Sequence, residues 1–104
     1  MLFKVLDRVT LLSILPEAGD FVTLKIVRQL REDLSFTEEE ISFLKIKTAD
    51  GRITWDATND SGRAVTIGEK ATDIIVAALE KLNTEKKLTN QHFELYDAFV
   101  MRGT

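Results

Sequence analysis

The chain changes its hydrophobic period twice, and that change constrains the fold more than any single residue does. Up to Leu44, apolar residues recur every three or four positions. From Leu44 to Ile67 they alternate, and after Gly68 the helical spacing returns. A chain of 104 residues with these three zones predicts one α+β domain over residues 1–104: three N-terminal helices, a three-stranded antiparallel meander and two C-terminal helices.

In the first zone Leu2, Val5, Leu6, Val9, Leu12 and Leu15 mark a helix with one buried stripe, and Leu11 and Ile14 widen that stripe. Pro16 stops it, because the ring cannot continue the hydrogen-bond ladder. Asp20 is placed to cap a second helix, with Phe21, Leu24, Val27, Leu30 and Leu34 as its expected buried face. Thr37-Glu38-Glu39-Glu40 reads as a capping box. Its hydroxyl would accept from the amide three residues on, while that residue's carboxylate reaches back to the cap. A short third helix from Glu38 to Leu44 is expected, stapled by Phe36 and Ile41, its acidic first turn complementing the helix dipole.

In the second zone Leu44, Ile46 and Thr48 alternate with lysines, Asp50-Gly51 supplies a tight turn, and Ile53 and Trp55 alternate again. Val65 and Ile67 would add a third strand. One apolar face carrying Ile46, Ile53, Trp55, Val65 and Ile67 would pack on the helices, with Trp55 against Ile74 and Ile75 near the centre. Truncating Trp55 to Ala would then cost roughly 3–5 kcal/mol. In the third zone Ala71, Ile74, Ile75, Ala78, Leu79 and Leu82 define an amphipathic helix. A last helix, capped near Thr89 or Asn90, is expected to bury Phe93, Tyr96, Phe99 and Val100.

The residue inventory excludes much chemistry. With no Cys and one His, disulfides, thiolate metal sites, iron–sulfur clusters and thiol nucleophiles are absent, and no cofactor is expected. No phosphate-cradling glycine motif is present. Asp56-Ala57-Thr58-Asn59-Asp60-Ser61-Gly62 resembles the opening of a calcium loop. Ser61 and Ile67, however, occupy the positions where an EF-hand needs Gly and Glu, so a solvated turn is expected there. Three consecutive glutamates on a helix point about 100° apart and cannot converge on one ion. His92 has no carboxylate or nucleophile set beside it by spacing, so it reads as a surface or packing residue. Non-catalytic behaviour follows, with an acid-dependent enzyme left as a third reading. That enzyme would need two carboxylates in one pocket.

The net charge of −3 is spread evenly: five acids and five bases in residues 1–34, six and four in 35–67, six and five in 68–104. No segment has the basic excess that strong nucleic-acid binding uses. No run of 18 apolar residues occurs and the N-terminus lacks a leader's pattern, so no membrane association is expected and the cytoplasm is the expected compartment. The order helix–helix–helix–hairpin suggests a winged helix, but the third helix would present Glu38, Glu39 and Glu40 to a polyanion. Lys25, Arg28 and Arg31, with Lys45, Lys47 and Arg52, could form a weak basic surface instead, so a winged-helix-like nucleic-acid-binding regulator is the alternative reading.

Leu15-Pro16-Glu17-Ala18-Gly19-Asp20-Phe21, Leu34-Ser35-Phe36-Thr37-Glu38-Glu39-Glu40, Ile53-Thr54-Trp55-Asp56 and the segment from Asn90 to Val100 give the chain a whole-length likeness. It resembles small uncharacterised phage and prophage proteins. That resemblance implies a mobile-element origin and brings no functional residues. The leading expectation is a protein–protein interaction module. Leu11 and Ile14 are its candidate partner surface or homodimer seam, unless the first helix is central and packed on most sides.

Overall fold

Two helix boundaries were written into the chain by their capping residues, and a computed structural model, which describes residues 2–102, places both there. Helix α2 spans Phe21–Leu34, with the Asp20 carboxylate accepting from the Thr23 amide at 2.7 Å. Helix α3 spans Glu38–Leu44. The Thr37 hydroxyl accepts from the Glu40 amide at 3.1 Å, and the Glu40 carboxylate accepts from the Thr37 amide at 3.0 Å. The remaining helices are α1, Val5–Ile14; α4, Glu69–Thr84; and α5, Asn90–Tyr96, which runs on into one π turn, Asp97–Met101. The described residues thus form an α+β fold of five helices with two small antiparallel sheets.

The sheets differ from the expected meander. Strands β2 (Lys47–Ala49) and β3 (Arg52–Thr54) form the hairpin, Lys47 opposite Thr54 and Ala49 opposite Arg52. Its turn uses positive φ at both Asp50 and Gly51, the mirror-image turn whose twist suits a hairpin. The next strand does not add to it. Strand β4 (Arg63–Ala64) pairs instead with β1 (Leu2–Phe3), Leu2 opposite Ala64 and Phe3 opposite Arg63. Leu2 therefore lies in a strand, and the first helix starts at Val5. Its leading amide is capped from a distance: Val5 N–H donates to the Asp60 carboxylate at 3.1 Å.

The core joins α1, α2, α4 and α5 with Phe3 of β1 and with Val65, the residue after β4. Phe3, Leu11, Leu15, Val27, Leu30, Leu34, Val65, Ile75, Leu79, Leu95 and Phe99 are all buried in it. The rings of Phe3 and Phe99 stack with centroids 6.4 Å apart, so the N-terminal strand and the C-terminal π turn seal each other. Thr10, also fully buried, accepts from the Gln91 amide side chain at 2.8 Å and ties α1 to α5.

Several expected core positions fall elsewhere: Leu2, in a two-residue strand, and Leu6, on the outer side of α1, are exposed, and Ile46 and Ile53 stay with the hairpin outside the core. Trp55 is half-buried and lies outside the cluster containing Ile75. Phe21 is 80% exposed because it opens α2 one turn before that helix reaches the core. Phe93 is exposed as well, since the buried line of the last helix runs Leu95–Phe99 with Tyr96 and Val100 beside it.

Candidate functional site

The densest polar cluster is built on Arg8, one of the most deeply buried side chains of the described residues at 2% exposure. Arg8 occupies the apolar stripe of α1 between Val5 and Leu11, so its guanidinium is carried inward with them. There it meets the C-terminal end of α2, whose last carbonyls lack helical partners. Arg8 donates Nε–H to the Leu34 carbonyl at 3.0 Å and a second group to the Ser35 carbonyl. It also grips Glu40 with two contacts, Nη1 to Oε2 at 2.6 Å and Nη2 to Oε1 at 3.1 Å. Arg63 completes the set, donating to Glu40 Oε1 at 3.0 Å and to the Asp33 carbonyl at 2.9 Å. The Phe36 ring lies 4.0 Å from the Arg8 guanidinium carbon.

Two arginines therefore cap α2 where the negative end of its dipole lies, and the one carboxylate of Glu40, in the first turn of α3, bridges them and balances one of the two charges. The hydrogen bonds from Arg8 hold the Glu40 carboxyl down from its ordinary 4.5 to about 2, helped by the Thr37 amide and the charges of Arg8 and Arg63, while burial works against them. No buried side-chain polar atom among the described residues lacks a partner. The cluster spends its hydrogen bonds on closing the fold. Sequence reasoning missed it, although a signal existed: Arg8 sits in register with Val5, Leu12 and Leu15.

The acidic turn is similarly occupied. Asp56 accepts from the Thr58 amide at 3.0 Å and from the Thr58 hydroxyl, which lowers its pKa, with a smaller contribution from Lys45. Asn59 bridges Asp56 and the Phe43 carbonyl. Asp60 serves α1. No group of three or more His, Cys, Asp or Glu side chains suited to a metal gathers among the described residues.

Two open grooves flank the bend between α1 and α2. The first, about 750 Å³, runs along α2 over Leu24 and Val27 and is bordered by Phe21, Lys25, Arg28 and Arg31, with Glu17 and Glu32 at its margin. None of the three cations forms an ion pair among the described residues. The other expected cations, Lys45, Lys47 and Arg52, are exposed on or beside the hairpin and do not border this groove. The six basic residues are thus not gathered into that groove.

The second groove, about 720 Å³, lies between α1 and α4 and takes in Ile14. Leu11 does not reach it. That side chain has 0% exposure at the centre of the core, so α1 is packed on the face where a partner was expected, and Ile14 alone borders open space. His92 borders this groove too. Its Nδ1 accepts from the Thr89 amide at 3.0 Å and so completes the cap of α5, which assigns the proton of the neutral ring to Nε2. No helix of the described residues is long and apolar enough to cross a membrane.

No protein-family model, no curated protein and no solved structure matches the chain.

Proposed function

We propose that the protein is a non-catalytic protein-binding module whose docking face is the groove along α2, and that its partner is an acidic segment carrying an apolar anchor. The observation that carries this reading is Phe21, four-fifths exposed beside three cations that have no ion partner among the described residues, on a protein of net charge −3. An exposed aromatic beside an apolar floor is costly in water unless something covers it. Positions 21, 25, 28 and 31 share one side of the helix, so a partner laid along α2 meets the aromatic first and then a row of positive charge. Arginine-bordered apolar contacts are where binding energy concentrates in protein interfaces.

The test is a fluorescence anisotropy titration of the full chain with a labelled amphipathic peptide that carries glutamates on one face and Phe and Leu on the other. Saturable binding at low salt that is lost in Phe21→Ser and in Lys25→Glu/Arg28→Glu supports the reading. No binding, or binding indifferent to both variants, overturns it.

A nucleic-acid-binding regulator is the second reading, favoured by the β2–β3 hairpin, which stands outside the core as a wing would and bears Lys47 and Arg52. Against it, Glu38 and Glu39 are exposed on the first turn of α3, where they would repel phosphate. Retention on duplex DNA that falls steeply with salt would assign the cations to that role.

A further inference from the structure

The groove between α1 and α4 supports a separate inference, because α4 carries more apolar surface than the core consumes. Ala71, Ile75 and Leu79 are buried in the core; Ile14 and Ile74 pack against it on one side and border the groove on the other, together with the half-buried Ala78 and Leu82. Asp73 and Lys81 flank these residues. Both are exposed, and neither forms an ion pair among the described residues.

We infer that this face is a contact between two copies of the chain, α4 of one lying antiparallel to α4 of the other across a two-fold axis at Ala77. The charge pattern selects that occupant. Asp73 lies four residues before Ala77 and Lys81 four residues after it, about 6 Å to either side along the helix. A two-fold axis at Ala77 therefore sets Asp73 against the second copy's Lys81 and repeats the pair on the opposite side, as a self-complementary patch must. A parallel pairing would instead oppose Asp73 to Asp73 and Lys81 to Lys81, so the same two residues specify direction. Glu85, also at the rim, is already engaged by Lys87 at 3.6 Å. Ala77 and Ala78 at the centre let the helix axes approach to the near end of the usual 8–10 Å spacing, about what two alanines facing each other allow. Ile14, Ile74 and Leu82 then supply the apolar surface that drives association.

The inference does not rest on the α2 docking face, and its test separates the two. Sedimentation equilibrium of the full chain at low salt is expected to show a monomer–dimer equilibrium. Asp73→Lys alone and Lys81→Asp alone each place like charges together twice in the dimer and are expected to weaken association by about tenfold or more. The exchanged double variant, Asp73→Lys/Lys81→Asp, rebuilds both pairs with reversed sign and is expected to restore wild-type association. Both positions are exposed, so at a concentration low enough to keep the wild type monomeric the variants should melt with it, showing that folding is intact. A monomer at every concentration overturns the inference. So does a dimer indifferent to the single changes, or a double variant as weak as the single ones. Phe21→Ser and Lys25→Glu are expected to leave the equilibrium where it is.

Discussion

Arg8 and Arg28 are the same side chain on adjacent helices, yet they have opposite fates. Arg8 is buried, with hydrogen bonds to two carbonyls, one carboxylate and an aromatic face beneath it. Arg28 is exposed and without an ion pair among the described residues. The difference lies in helical phase and in what each helix faces. Arg8 falls on the inward stripe of α1, opposite a helix end with unpaired carbonyls, whereas Arg28 falls on the outer face of α2 beside an open groove. A cation placed inward becomes part of the fold, and one placed outward is free to recognise a partner.

Removing the inward cation is the strongest way to break this comparison. Arg8→Ala leaves the carbonyls of Leu34 and Ser35 and the carboxylate of Glu40 short of partners. It is expected to cost roughly 3–5 kcal/mol in a urea denaturation. Arg28→Ala should stay within about 0.5 kcal/mol of wild type in the same measurement. Equal losses in the two variants would erase the distinction.

The next effect is the pH dependence that the buried cluster imposes. The folded pKa of Glu40 is depressed from 4.5 to about 2. Its stabilisation is therefore present in full above about pH 4.5 and is lost as the pH falls toward 2, because the unfolded chain binds the proton first. The carboxylate is partly reachable by water, so roughly 1–3 kcal/mol is expected to disappear over that window. Glu40→Gln, less stable at neutral pH, should show a correspondingly flatter acid limb. An acid limb unchanged in that variant would mean that other carboxylates govern acid unfolding.

How far the sequence foretold this follows from the same physics. Helix limits carried by side-chain caps, at Asp20 and at Thr37 with Glu40, were legible because the signal is local and the chemistry is within three residues. The Asp50-Gly51 hairpin was legible for the same reason. The pairing of Leu2–Phe3 with Arg63–Ala64 was not, since it joins the start of the first zone to the far end of the second through strands of two residues each, too short for any alternating pattern. For Glu40 the sequence shows only a cap, because nothing nearby announces that Arg8 and Arg63 converge on it. At the candidate docking face the sequence marks Lys25, Arg28 and Arg31 as a basic surface, but its helical spacing places Phe21 in the core. Period alone does not say where along its length a helix meets its neighbours.

Trp55 yields a smaller effect and sharpens the contrast between the body and the hairpin. The hairpin is anchored at its base by backbone bonds, Ile46 N–H to the Ile41 carbonyl at 3.0 Å and Asp56 N–H to the Leu44 carbonyl at 2.7 Å. Its half-buried tryptophan does not join the core. Trp55→Ala is expected to cost about 1 kcal/mol, against roughly 3–5 kcal/mol for Phe99→Ala, whose ring stacks on Phe3. Comparable losses would place Trp55 among the residues that hold the body together.

The smallest expected change in stability belongs to the residue on which the functional proposal leans most. Phe21 and Leu30 lie on one helix, the first 80% exposed and the second 3%. Leu30→Ala removes buried methyl groups and should cost roughly 2–5 kcal/mol, with the spread set by how well the cavity collapses. Phe21→Ser removes a ring already in water, one residue after the Asp20 cap that starts the helix, and leaves the Asp20–Thr23 bond intact. Its melting curve should lie within about 0.5 kcal/mol of wild type, while its solubility rises as the apolar patch is lost. Should Phe21→Ser destabilise the fold as much as Leu30→Ala, the ring would be packed in solution. The α2 groove would then lack the exposed anchor that a binding face requires.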